Sequence, residues 1–137
     1  MAAPNIVSVS TITGITTYIS GINSDPKNAN GVTGSANPCG ITTVVSNAAS
    51  SGKVFKINLL SATGIGNTVD FTAKIFNAAA GLGNSVGIAV TVAIPQYSSV
   101  VIISKENALY LEENRSIGVQ RGIIGDADVI CSYEEIS

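Results

Sequence analysis

Val69-Asp70-Phe71-Thr72-Ala73-Lys74-Ile75 carries an apolar side chain at every second position and a polar one between. Successive side chains of a β-strand point to opposite faces. Val69, Phe71, Ala73 and Ile75 therefore turn inward together, while Asp70, Thr72 and Lys74 face water. One dry face and one wet face mark a half-buried antiparallel strand. The same alternation precedes it in residues 53–60, where Phe55, Ile57 and Leu59 share a face opposite Lys56 and Asn58.

Working outward, residues 5–12, 16–20, 41–46, 86–94, 100–103, 116–120 and 128–134 also read as short strands. Between them, Asn, Gly and Ser clusters such as Asn47-Ala48-Ala49-Ser50-Ser51-Gly52 turn the chain. Composition agrees. Ile and Val together number 32 against 5 Leu, and β-branched side chains fit a pleated surface better than a helix. The expected fold is all-β: one antiparallel two-sheet β-sandwich of about eight strands, jelly-roll or Greek-key in type. At 137 residues it forms a single domain over 1–137, with no repeat or linker to divide it.

Two strands differ from the opening pattern. In residues 86–94, Val86, Ile88, Val90, Val92 and Ile94 fall on one face, and the other holds only Gly87, Ala89, Thr91 and Ala93. Val100-Val101-Ile102-Ile103 is apolar on both faces. One face must meet the core, and the second has no charge to hold it in water. A subunit contact at Val86, Ile88, Val90, Val100, Val101, Ile102 and Ile103 would cover it. Loops of the same chain could also cover it, and the sequence leaves both options open. Residues 21–40 form a long irregular loop of Asn, Ser and Gly with two prolines. Asp25, Pro26, Asn30 and Pro38 within it are candidate contacts to a neighbour; a surface excursion without a partner is the alternative.

Charge narrows the partners. Charged residues make up 12% of the chain, about half the usual figure of roughly 25%. Monomers keep themselves soluble largely through surface charge. So neutral a surface points to a homo-oligomer, with a trimer as one symmetric form, or to a place in a larger assembly. Seven scattered Lys and Arg against nine Asp and Glu exclude a phosphate-binding cluster, so no nucleic-acid partner is expected. No apolar run approaches the roughly 20 residues of a membrane helix. Met1-Ala2-Ala3-Pro4-Asn5 lacks a basic, apolar leader, so synthesis in a cytoplasm is expected.

Motifs for chemistry fail on inspection. Gly83-Asn84-Ser85-Val86-Gly87 matches the nucleophile-elbow string, but the chain has no histidine to take the serine proton. Glu112-Glu113 and Glu134-Glu135 are adjacent, so on strands they point apart, and in turns they are solvated. Asn28-Ala29-Asn30-Gly31 lacks the flanking acidic ligands of a calcium loop, and Asp126-Ala127-Asp128 offers only two oxygens. Neither a phosphate loop nor a dinucleotide fingerprint is present. Cys39 and Cys131 fit no metal-knuckle spacing and read as free buried thiols or a disulfide. Trp is absent and the four tyrosines are dispersed, which offers little to a sugar. No catalytic residue, metal or cofactor is expected, although a carbohydrate-binding module and an enzyme remain competing classes.

Four phrases carry a resemblance: Ser51-Gly52-Lys53-Val54-Phe55-Lys56-Ile57-Asn58, Val100-Val101-Ile102-Ile103-Ser104-Lys105, Leu109-Tyr110-Leu111-Glu112-Glu113, and Val129-Ile130-Cys131-Ser132-Tyr133-Glu134-Glu135-Ile136. Together, over residues 41–137 in outline, they resemble small virion structural proteins of tailed bacteriophages, especially those infecting cyanobacteria. Where that family tends to carry Glu-Glu-Gly-Asp-Ser, this chain has Glu112-Glu113-Asn114-Arg115-Ser116; Asn suits the left-handed turn that the glycine implies. The resemblance implies residence in a virion. The leading expectation is a capsid decoration or cement protein seated on the major capsid protein. A neck, tail or fibre component contacting another virion protein is the alternative.

Overall fold

The computed structural model of the protein describes residues 8–22, 41–122 and 125–137. Within them run β1 Ile12–Ile19, β2 Thr42–Asn47, β3 Val54–Ile65, β4 Val69–Phe76, β5 Ser85–Ile94, β6 Ser99–Ile103, β7 Leu109–Leu111, β8 Arg115–Arg121 and β9 Asp126–Ile136. One sheet has the order β1-β9-β3-β6 with β7 also on β3; the other has the order β2-β8-β4-β5. All pairings are antiparallel. β6 and β7 follow one another along the same side of β3, interrupted by a single 3-10 turn, Lys105–Asn107. They act as one broken edge strand, so the sandwich has eight strand positions. The chain changes sheet at every other connection except the β4–β5 hairpin. That wrapping is the jelly roll, within the fold class read from the sequence.

The N-terminal expectation needs correction. Residues 12–19 form one strand paired with β9 along its whole length, and not the ends of two strands. Gly14 lies in mid-strand with open space where a Cβ would stand, a position an edge strand tolerates. The loop expected from residue 21 is tied down at its start. The Gly21 N–H donates to Asp128 Oδ1 at 2.8 Å, and Ile22 is buried in the core. Asp25, Pro26, Asn30, Pro38 and Cys39 lie outside the described residues.

β4 follows its alternation: Val69, Phe71 and Ala73 are fully buried, and Ile75 packs half-buried against them. Bulges change the parity elsewhere. In β3 the register against β9 slips between Ile57 and Leu59, so Asn58 occupies a bulge. An extra residue exchanges the two faces beyond it. Leu60 and Ala62 therefore enter the core, and Leu59, expected inside, is left half-exposed. In β6 a slip at Ile102 lets Val100 and Ile103 both turn inward. β5 slips twice against β4, between Gly87 and Ala89 and between Ala89 and Val92. Thr91 takes a left-handed φ of 52° there, and its N–H reaches the Thr72 hydroxyl at 3.0 Å. The single apolar face expected for β5 is thus broken. Ile94 is core, while Val90 emerges on the opposite side of the sheet beside Thr72 and Lys74.

Both sheets contribute to the core. Ile57, Leu60, Leu111, Val129 and Cys131 from one meet Val69, Phe71, Ile117 and Val119 from the other. Each large aliphatic or aromatic side chain so buried contributes about 1.5–3 kcal/mol. Phe55 and Tyr133 stack at 5.0 Å between ring centres. At one end of the sandwich, the side chain of Asn47 is fully buried. Its Nδ2 donates to the carbonyls of Lys53 (3.0 Å) and Leu111 (3.1 Å), and its Oδ1 accepts from the Ser51 hydroxyl (2.6 Å). Glu113, expected to be solvated, is buried instead, and its Oε1 accepts the Gly52 N–H at 3.0 Å. Asn114 beside it has φ 55°, the left-handed turn expected there if Asn stands in for a glycine.

Two predictions follow from the interior. Asn47→Ala leaves a buried carbonyl without a donor and lowers stability by about 1–3 kcal/mol in urea titration. Asn47→Asp costs more, because a carboxylate would face two carbonyl oxygens. Burial pushes the Cys131 thiol up to about 12 from 9.0. The unfolded chain therefore loses this proton first as pH rises, and the stability it contributes is intact below pH 9 and lost toward pH 12. Denaturation midpoints should fall more steeply over that range in the native chain than in Cys131→Ala.

Candidate protein-contact surfaces

The residues expected to form a subunit contact separate into three environments. Val86, Val90 and Val101 are exposed, at 69%, 61% and 56%. Ile88, Val100 and Ile102 are half-buried against the core. Ile103 is only 3% exposed and belongs to the core, because the bulge at Ile102 turns it inward against Leu60. Ile103 is therefore removed from any contact surface. Val86 and Val90 do not form one patch either, because the two bulges between them and Val92 send them to different sides.

A larger surface, which sequence reasoning missed, covers the outer side of the five-stranded sheet. Register places Tyr18 of β1 opposite Ile130 of β9, Ile130 opposite Ser61 of β3, and Ser61 opposite Val101 of β6. One row thus crosses β1, β9, β3 and β6. Three of its members are apolar and open to solvent: Tyr18 at 75%, Ile130 at 44% and Val101 at 56%. The row beside it, Thr16-Ser132-Leu59, is uncharged. The next row carries Gly14, Glu134, Lys56 and Tyr110, with one charge of each sign. At the far end Ile12, Ile136 and Val54 line up. A partial signal did exist in the sequence: in Val129-Ile130-Cys131, three successive apolar residues cannot all face inward on a strand.

The opposite sheet presents a different chemistry. Asp70, Thr72 and Lys74 of β4 and Gln120 of β8 floor an open trough of ≈ 1040 Å³, with Val90 and Thr91 of the bulged β5 at its rim. Its lining mixes charge signs, amides and hydroxyls, and includes no aromatic ring. A sugar would lack a stacking platform here. Nor do the tyrosines gather elsewhere: Tyr133 is inside, Tyr97 sits in the β5–β6 turn, and Tyr18 and Tyr110 occupy opposite edges of their sheet. Ser85 is exposed at the start of β5. Glu134 and Glu135 point to opposite faces of β9, and Glu135 pairs with Lys53 at 2.8 Å. Among the described residues, no group of three or more His, Cys, Asp or Glu is arranged to hold a metal.

Comparison with protein-family models, curated proteins and solved structures finds no match to this chain.

The contrast between neighbours on β6 can be measured directly. Val101→Ser, on the open row, should lower the stability of the isolated chain by less than about 1 kcal/mol. Ile103→Ser, two residues on, should cost about 3 kcal/mol or more, from a cavity and a buried hydroxyl together. Urea midpoints of the two variants compare them.

Proposed function

We propose that this protein is a structural component of a tailed-phage virion, a decoration or cement protein of the head that acts through contacts with other protein chains. The observation that carries this reading is the outer side of the five-stranded sheet, where one row sets exposed Tyr18, Ile130 and Val101 across β1, β9 and β6. Covering apolar area contributes about 25 cal/mol per Å² removed from water, a drive available only to a chain that finds neighbours. The low charge content and the resemblance of residues 41–137 to virion structural proteins support the same reading. A jelly roll suits the task, since closure of its core leaves whole sheet faces free for contact. Its partners in this reading are copies of itself and the major capsid protein, with no cofactor and no catalysis.

Electron cryomicroscopy of the intact particle tests this. A jelly-roll density for the chain should decorate the head lattice in regular copies. Heads that lack the chain would refute the decoration role, and density confined to neck, tail or fibre would assign the protein there instead.

A further inference from the structure

We infer that the outer side of the five-stranded sheet seats a second copy of the same face, related by a two-fold axis lying between the sheets and parallel to the strands. This rests on reading that face as a protein contact and names its occupant. The argument comes from how the rows change under such an axis. Rotation lays β9 of one copy over β3 of the other, and β1 over the broken β6/β7 edge. Each row is then read against its own reverse.

The charged row gives the clearest result. Glu134 and Lys56 are register neighbours on β9 and β3. Reversal sets Glu134 over the second copy's lysine and Lys56 over its glutamate, so two opposite-charge pairs form and no like pair does. Sizes match in the same row, where Tyr110 at one edge meets Gly14 at the other. In the apolar row Tyr18 meets Val101, and Ile130 meets the small Ser61. In the charged row positive falls on negative and Tyr110 on Gly14, and in the apolar row Ile130 falls on Ser61, as suits two sheets packed about 10 Å apart. Asp126 and Asp128, also outward on β9, fall over Ile65 and Thr63 and add no charge pair.

The area is sufficient. Four strands at about 4.8 Å spacing, along the 11 residues of β9, give a face of roughly 19 by 35 Å. Two such faces remove roughly 1,300 Å² from solvent, within the range of roughly 1,200–2,000 Å² for stable specific pairs.

Charge reversal in the full-length chain tests the register of the pair. Sedimentation equilibrium of the native protein should show a dimer. Lys56→Glu and Glu134→Lys should each weaken it by at least about tenfold, since either variant sets two like charges together across the axis. Mixing the two variants in equal amounts should restore a heterodimer, because all cross-axis pairs are then opposite. The neighbouring charges within each variant chain stay alike, so recovery reports contact between chains and not repair within one. Tyr18→Ser, at an exposed edge position, should also dissociate the pair and serves if a charge variant fails to fold. A native protein that stays single at about 100 μM, variants that dimerise as before, or a mixture that stays apart would each overturn the pairing. A single chain that still decorates phage heads would overturn the pair and leave the virion role standing.

Discussion

The ladder between β3 and β9 governs the rest of the molecule. Its eleven residue pairs run from Val54–Ile136 to Ile65–Asp126, with one slip at Asn58. Because side chains alternate, this register decides at a stroke which residues of both strands enter the core and which face outward. β1 extends the rows on one side, and β6 and β7 extend them on the other. The core cluster of Ile57, Leu60, Ala62, Val129 and Cys131 and the outward row through Ile130 and Ser61 are therefore two results of one pairing. A shift by a single residue would turn Ile130 inward and expose Cys131.

The two faces of the sandwich divide the labour of staying dissolved. The four-stranded side carries Asp70, Lys74 and Gln120 and an open, wet trough. Across the molecule, the outer side of the five-stranded sheet holds Lys56, Glu134, Asp126 and Asp128 on either side of the row of exposed Tyr18, Ile130 and Val101.

Much of the architecture was legible in the sequence. The alternation in residues 69–75 located β4, its inward face and the all-β class, because nothing interrupts the pleat there. Legibility ended where a strand contained an extra residue. Asn58, Ile102 and the stretch from Gly87 to Val92 all look regular in one dimension, and a bulge is visible only once the partner strand is known. That is why alternation alone puts Leu59 on the face of Phe55 and Ile57, and Val90 on the face of Ile94, and offers Ile103 as a surface contact. The apolar row was illegible for a further reason: Tyr18, Ile130 and Val101 lie far apart in the chain and meet only through pairing. The buried Glu113 could not be anticipated either, because its partner is the N–H of Gly52, sixty-one residues upstream.

The two slips in β5 have a further consequence. A straight free edge invites endless strand addition, and a chain with few charges has little else to discourage fibril growth. Thr91 breaks the regular spacing of that edge, and its N–H is already taken by the Thr72 hydroxyl. An incoming strand therefore meets a kinked template with a missing donor. The chain is in this way protected against polymerising along that edge.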